Sequence, residues 1–364
     1  MNTNTASELS LGEAMELQKI NEEYSNIKSI DGVNRLFTEG MYTLELCYNN
    51  FCKSVSLAEM KYYVKNGELL SEATGSDAKS IKDKIIEGFK KWVDKAIDFL
   101  TKLYRAARLK LIEIFKGRKP FLDKYSNILK NAKGTVTLDK GYENSKFDFH
   151  LTSEKAIEQV LEKAIKDDET SFDYMSNMIL SLVCYGDTNH IKPDNIDATT
   201  FMHNAVYGEE KTNIKISVSA AYNYCTGDFI NAVKELDKIY LEMKRYSVNV
   251  QKSIESKYEA SKKAYDAMDS NDSREKLIAK QATKFLDAMM AAYKIVIEYN
   301  NKLINIAFRY IHYKLRQAEI ATQLYISDYY AQNKNESATV IETAVKDNFS
   351  ELSIEDIFAR VSTL

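Results

Sequence analysis

The chain is short of helix breakers. At the usual frequency of about 5% a protein of this length would carry roughly 18 prolines, yet only Pro120 and Pro193 occur among its 364 residues. Glycine is also sparse, at 12 residues. Both shortages point to long helices. Cysteine is limited to Cys47, Cys52, Cys184 and Cys225. No pair has the CxxC spacing that a redox dithiol or a zinc site needs, so these four are expected to be reduced, buried thiols. Cys47 and Cys52 lie five apart on one expected helix, which sets them on different sides of it.

Histidine is equally thin: His150, His190, His203 and His312 form no HxH, HExxH or HxxxH pair, so no local metal site is expected. Asp187, His190, Asp194 and Asp197 share a loop, but polar loops are built from these residue types in any case. Neither GxxxxGK[ST] nor GxGxxG occurs, which leaves a nucleotide-binding claim without footing, and the serine-hydrolase elbow is absent too. No cofactor and no catalytic residue is expected. The N-terminus, MNTNTASELSLGEAMELQKINEEY, has neither a basic nor an apolar signal region, so synthesis in a cytoplasm is expected. No window reaches eighteen uncharged apolar residues, which excludes a spanning helix. With 45% apolar and 28% charged residues the chain is nonetheless that of a folded protein.

What the sequence does contain is a long basic helix. From Ser80 to Phe115, apolar residues recur at Ile81, Ile85, Phe89, Trp92, Ala96, Phe99, Leu103, Ala106, Leu109, Ile112 and Phe115, the three-and-four spacing of one helical stripe. Lys79 to Lys133 carries 16 Lys/Arg against 6 Asp/Glu, whereas the whole chain has a net charge of −3. A solvated outer face is the ordinary reading of such lysines. The functional readings are a phosphate-contacting face, with Lys90, Lys91, Lys95, Lys102, Arg105, Arg108 and Lys110 as candidates, or a helix lying on an anionic membrane.

Around it, periodicity predicts helices over Glu8 to Tyr24 and Val33 to Lys65, broken at Ser29-Ile30-Asp31-Gly32, then a polar hinge at Gly67 to Lys79. Lys116-Gly117-Arg118-Lys119-Pro120 is expected to stop the basic helix, with a short helix following over Phe121 to Ala132. Thr135 to Leu138 and Lys146 to Leu151 alternate with period two and predict a small β-hairpin near 135–151. Helices are expected after Ser153 and over Ser171 to Tyr185, with a short one around Phe201 to Tyr207 and a β-branched run at Ile214 to Val218. From Phe229 to Met268 and Ser273 to Ala331 the pattern predicts an antiparallel helical hairpin, roughly 60 Å or more at 1.5 Å per residue. The tyrosines that crowd these two arms are read as core.

The expected fold class is therefore mainly α: an elongated helical bundle with a long C-terminal hairpin and a small β-hairpin insertion. Five regions follow: a leader at 1–72, the basic segment at 73–133, a small α+β region at 134–226, the long hairpin at 227–335, and short helices at 336–364.

Three stretches in this order, KGRKPFLDKYSNIL at the end of the basic helix, TVTLDKGYENSKFDFHLT, and INIAFRYIHYKLRQAEIATQLY in the last long arm, resemble internal virion proteins of large tailed phages. The similarity runs from about Leu11 onward and lies in residue type rather than in invariant side chains. It implies a non-enzymatic structural protein of the virion interior, made in the host bacterial cytoplasm and assembled with the capsid as prohead core, cargo or internal head protein. The implied partners are other virion proteins, further copies of this chain and double-stranded DNA bound without sequence preference, with ejection alongside the genome left open. Prohead proteases of such phages cut after glutamate in a [Leu/Ile]-x-Glu pattern followed by Ala or Gly. Leu70-Ser71-Glu72-Ala73 matches within the expected hinge, making Glu72 the candidate maturation site; Leu11 to Ala14 and Ile85 to Gly88 match as well. The alternative from the residues is a membrane-active helical protein, such as a pore-forming toxin that inserts its basic helix.

Overall fold

The computed structural model describes residues 30–67, 76–143, 145–149, 154–166, 169, 171–266 and 273–332. Of these, 83% are helical, so the protein is mainly α. The chain forms α1 (Ile30–Asn66), α2 (Ser76–Lys124), α3 (Ser126–Lys130), β1 (Thr135–Gly141), α4 (Glu154–Lys166), α5 (Phe172–Tyr185) and α6 (Ala198–Tyr207). It continues through β2 (Lys211–Ser217), α7 (Val218–Asn223), a π turn (Tyr224–Asp228), α8 (Phe229–Asp266) and α9 (Ser273–Gln332). The two strands make one antiparallel sheet.

Two compact units result, each gathered from separated stretches. The first takes the described residues of Met1–Lys110, Ser153–Ser176 and Ile239–Asn305; the second takes those of Leu111–Thr152, Asn177–Lys238 and Ile306–Leu364.

In the first unit, α2 buries Phe89, Trp92, Val93, Ala96, Leu100 and Leu103 almost completely. That is a wider band than one stripe, because Val93 and Leu100 sit beside the expected residues. The stretch of α9 from Ala288 to Ile304 is buried nearly all round, as a helix enclosed by others is, with Met289, Tyr293, Val296 and Leu303 in the core and Lys294, Asn300 and Asn301 buried beside them. Tyr293 and Tyr299 are core: the Tyr293 hydroxyl donates to Ser253 Oγ at 3.4 Å, and Tyr299 is hydrogen-bonded to Ser176 at 2.5 Å. Of the other tyrosines expected in the core, Tyr240, Tyr258 and Tyr313 are buried but Tyr329 is exposed. Burying an aromatic ring while finding a partner for its hydroxyl is how tyrosine enters a core without desolvation loss.

In the second unit, Leu129, Ile179, Met202, Val218, Phe229 and Phe308 are buried. Ring contacts link Tyr142 to Tyr207 at 5.1 Å and to Tyr313 at 5.6 Å. Gly141, at the end of β1, comes so near α9 that a Cβ there would lie 2.8 Å from Gln317 and 2.9 Å from the Tyr313 hydroxyl. That hydroxyl accepts from the Tyr142 backbone N–H at 2.8 Å, which ties the strand end to the helix.

Three features differ from the sequence reading: a helix end, a strand pairing and the burial of two cysteines. The basic helix continues through Gly117 and Pro120 to Lys124. A proline inside a helix forfeits one hydrogen bond and crowds the preceding turn. Here Leu111 and Leu122, on either side of it, are both buried, so tertiary packing outweighs the local breaker. The expected partner of Thr135 to Leu138 was the nearby Lys146 to Leu151. Instead β1 pairs with β2, Val136 opposite Ile216 and Leu138 opposite Ile214, while residues 145–149 carry no strand. The β-branched run at Ile214 is the better strand former, and it brings Ile214 inward. Cys184 and Cys225 are buried free thiols, but Cys47 and Cys52 are only half-buried.

Candidate polyanion face and a lysine-rimmed groove

The candidate residues for phosphate contact all lie on α2, in the first unit, but they do not form one uniform positive surface. Lys90 is tied to Glu255 of α8 at 2.6 Å and is partly enclosed. Lys91 bonds Glu87 one turn earlier, at 2.7 Å, which holds the Glu87 carboxyl below its usual range. Lys95 points its ammonium toward Cys47 Sγ at 3.6 Å. Lys102 is exposed. Arg105, Arg108 and Lys110 are half-buried, and each is engaged in an interaction of its own. Exposed Glu87, Asp94 and Asp98 are interleaved with the exposed lysines. The outer face is thus a mixed-charge one with a lysine excess. Such a face favours weak, salt-sensitive contact with a polyanion over tight capture.

A groove of about 390 Å³ runs between α1 and α2 in this unit. Phe51, Val55, Ile81, Ile85 and Trp92 make its apolar lining, and Lys84, Lys91 and Lys95 stand along the α2 edge. Those lysines occur at i, i+7 and i+11, so one helical face presents all three. Gly88 lies in the same row, and a Cβ there would sit 2.8 Å from the Phe51 ring. Its bare backbone therefore lets the two helices close. Below the groove, Phe89 and Trp92 pack at 5.7 Å and Tyr48 meets Trp92 edge-on at 5.3 Å.

Sequence reading missed the interior charges. Lys294 of α9 is 6% exposed, lies 3.1 Å from Glu298 and 3.3 Å from Glu45, and stands over the rings of Tyr48 (4.4 Å) and Phe172 (4.8 Å). Ring faces and carboxylates together replace the water this ammonium has lost. Burial pushes the Glu298 carboxyl up, and Lys294 counteracts part of that rise. The available signal was a charged pair at i, i+4 inside the otherwise apolar run YKIVIEY.

The second unit has its own interior cluster: Arg118 and Arg316 both reach Glu319 at 2.8 Å. Burial lowers the Arg118 pKa, and His312, enclosed beside the two guanidinium groups, is driven down to about 3. Cys225, within the π turn, is pushed up to about 12 by burial, so its thiol stays protonated.

The polar loop of the second unit has separate tasks for its residues. Asp187 accepts from the Asn189 backbone and meets His190 Nδ1 at 3.1 Å. Asp197 caps α6 through the N–H groups of Thr199 and Thr200. Among the described residues no group of three His, Cys, Asp or Glu could hold a metal ion. Glu72 and the Leu11 to Ala14 match lie outside the described residues. Ile85 to Gly88 sits within α2 with Ile86 buried, which hides that match from a protease. Among the described residues no helix is long and apolar enough to cross a membrane. No protein-family model, no curated protein and no solved structure matches the chain.

Proposed function

We propose that this chain is a non-enzymatic structural protein of a tailed phage, packed inside or assembled with the capsid as prohead core, cargo or internal head protein. The observation that carries the reading is the organisation of α2. Its apolar band is consumed by packing within the first unit, and its lysines are left as a mixed-charge outer face. That is the surface of an assembly element able to lie beside DNA or a protein shell without fixing itself to either. The polar clusters around Lys294 and Glu319 have their charges committed to one another, which suits a structural interior better than chemistry. The expected partners are other virion proteins, further copies of the chain, and duplex DNA contacted through exposed Lys91, Lys95 and Lys102.

The toxin alternative has less support. It would place Trp92, Phe99 and Phe115 in the headgroups. Trp92 and Phe99 are buried in the first unit, and Phe115 is half-buried and stacked on Phe229 at 5.2 Å. Mass spectrometry of purified particles of the encoding phage tests the proposal: the chain is expected in heads and absent from isolated tails. Its absence from the particle and from prohead intermediates would overturn the reading.

A further inference from the structure

Helix α1 carries apolar residues on two opposite sides, and one of these sides is left in solvent. Val33, Leu44 and Tyr62 are buried in the first unit. About 180° round the helix, at roughly 100° per residue, Tyr42, Leu46, Asn49, Lys53, Leu57, Met60 and Val64 recur at three and four, and all of them are exposed. The five apolar members keep 44 to 78% of their surface in solvent. Together they present on the order of 500 Å², the upper end of what a monomer shows as its largest patch. A helix with two apolar sides needs two neighbours.

The order of residues along this stripe fits a second copy of the same stripe. Two apolar ends, Tyr42 with Leu46 and Leu57 with Met60 and Val64, enclose a polar centre of Asn49 and Lys53. Such a face complements itself when turned end for end. An antiparallel pair about a two-fold axis near residue 51 sets Tyr42 against Met60 of the second copy and Leu46 beside its Leu57. The same axis sets Lys53 against Asn49, so the ammonium meets an amide carbonyl. A slip of one turn would set Asn49 against Leu57 or Lys53 beside Leu46, and a parallel pair would set Lys53 against Lys53; polar residues within a seam fix its register in this way. Charge on the rim agrees. Glu39, which Arg35 meets in solvent at 3.8 Å, and exposed Lys61 lie on the same flank of the stripe. Antiparallel pairing brings Glu39 of each copy toward Lys61 of the other, whereas parallel pairing would put them on opposite sides.

We propose that two copies of the chain associate through this face of α1 as an antiparallel, two-fold pair. With Asn49, Asn50, Lys53 and the flanking charges added, the contact reaches the roughly 800 Å² per partner of a standard interface. The contact rests on the functional reading above only in taking further copies of the chain as partners. A chain that proves monomeric would remove this surface and leave an internal position in the virion untouched.

The test is sedimentation equilibrium of the full chain, in which a dimer is expected at about 10 µM. Leu46→Glu with Leu57→Glu changes two side chains that are exposed in the single chain, so the circular dichroism of the fold is expected to stay unchanged. Dimerisation is expected to weaken about a hundredfold or more, because each glutamate would be buried unpaired. Orientation is read by mild oxidation in chains whose half-buried thiols are removed by Cys47→Ser with Cys52→Ser. When one such chain bears Tyr42→Cys and the other Met60→Cys, the mixed disulfide is expected to dominate, since like positions lie about 27 Å apart in this pairing. A chain that stays monomeric at about 100 µM overturns the proposal, whether another part of the chain or a different protein covers the face. A dimer that survives both glutamates overturns it, as does a preference for like disulfides, the mark of parallel helices.

Discussion

The Trp92 indole N–H donates to the backbone carbonyl of Leu44 at 3.1 Å, within the buried interface of α1 and α2. A carbonyl inside a helix normally accepts from its own ladder, so this is a second, tertiary claim on it. It fixes the rotation of α2 against α1 and, with it, which lysines face outward. Trp92→Phe keeps most of the apolar area but removes the donor. The expected loss is about 1 to 2 kcal/mol, read from a urea titration followed by circular dichroism, because Trp92 is the only tryptophan.

The two helices approach most closely where side chains are missing. A Cβ on Gly40 would lie 1.9 Å from the Phe99 ring, whereas one on Gly88 would lie 2.8 Å from Phe51. Gly→Ala in a helix interior would otherwise stabilise by about 1 kcal/mol. Gly40→Ala is expected to destabilise by about 1 to 3 kcal/mol through overpacking, and Gly88→Ala by less. A more stable Gly40→Ala protein in thermal melts would contradict this packing.

Lys294 and Glu298 are expected to behave as a unit. Lys294→Met strands a buried carboxylate and should cost about 3 to 5 kcal/mol. Lys294→Met with Glu298→Met removes both charges and should recover much of that loss. A double-mutant cycle in denaturant measures the coupling; additive costs would show that the pair is not held as described.

His312 gives the second unit an acid sensitivity. Its pKa falls from the ordinary 6.5 to about 3 on folding, first because of burial and then because of Arg118 and Arg316. Between those values the unfolded chain binds the proton and the folded chain does not, so stability rises with pH across that window and is lost as pH falls through it. The slope from this one group is up to about 1.4 kcal/mol per pH unit. His312→Gln should flatten the stability profile between pH 3 and 6.5 and leave its slope above pH 7 unchanged.

Proteolysis after Glu72 has a defined consequence, since α1 is held by more than its covalent link. Val33, Leu44 and Tyr62 are buried, and Tyr62 packs against Ile81 and Ile85. A chain cut there is expected to retain the fragment bearing α1 through size-exclusion chromatography in native buffer and to release it in denaturant. Immediate loss of the fragment would show that α1 contributes little to the first unit.

Most of this architecture was legible because it is periodic. The stripe from Ile81 to Ala106 and the long apolar runs of α9 specify helices whatever their neighbours do. The Asp197 cap and the Gly208 turn likewise mark α6 within its loop. What remained hidden depends on contacts distant in sequence. Pro120 reads as a stop until the buried leucines beside it are seen, and the partner of Thr135 lies at Ser217 rather than in the nearest alternating stretch. The basic face illustrates the same limit. Composition counts Lys90 with Lys102, but only the fold shows that Glu255 already holds the first and that solvent surrounds the second.

The central claim is an internal position in the virion, and protease protection addresses it directly. Intact particles of the encoding phage are treated with protease, in parallel with particles opened by osmotic shock, and the chain is followed by peptide mass spectrometry. The account predicts survival in intact heads and digestion once they are opened. Equal digestion in both would place the chain outside the shell and contradict it.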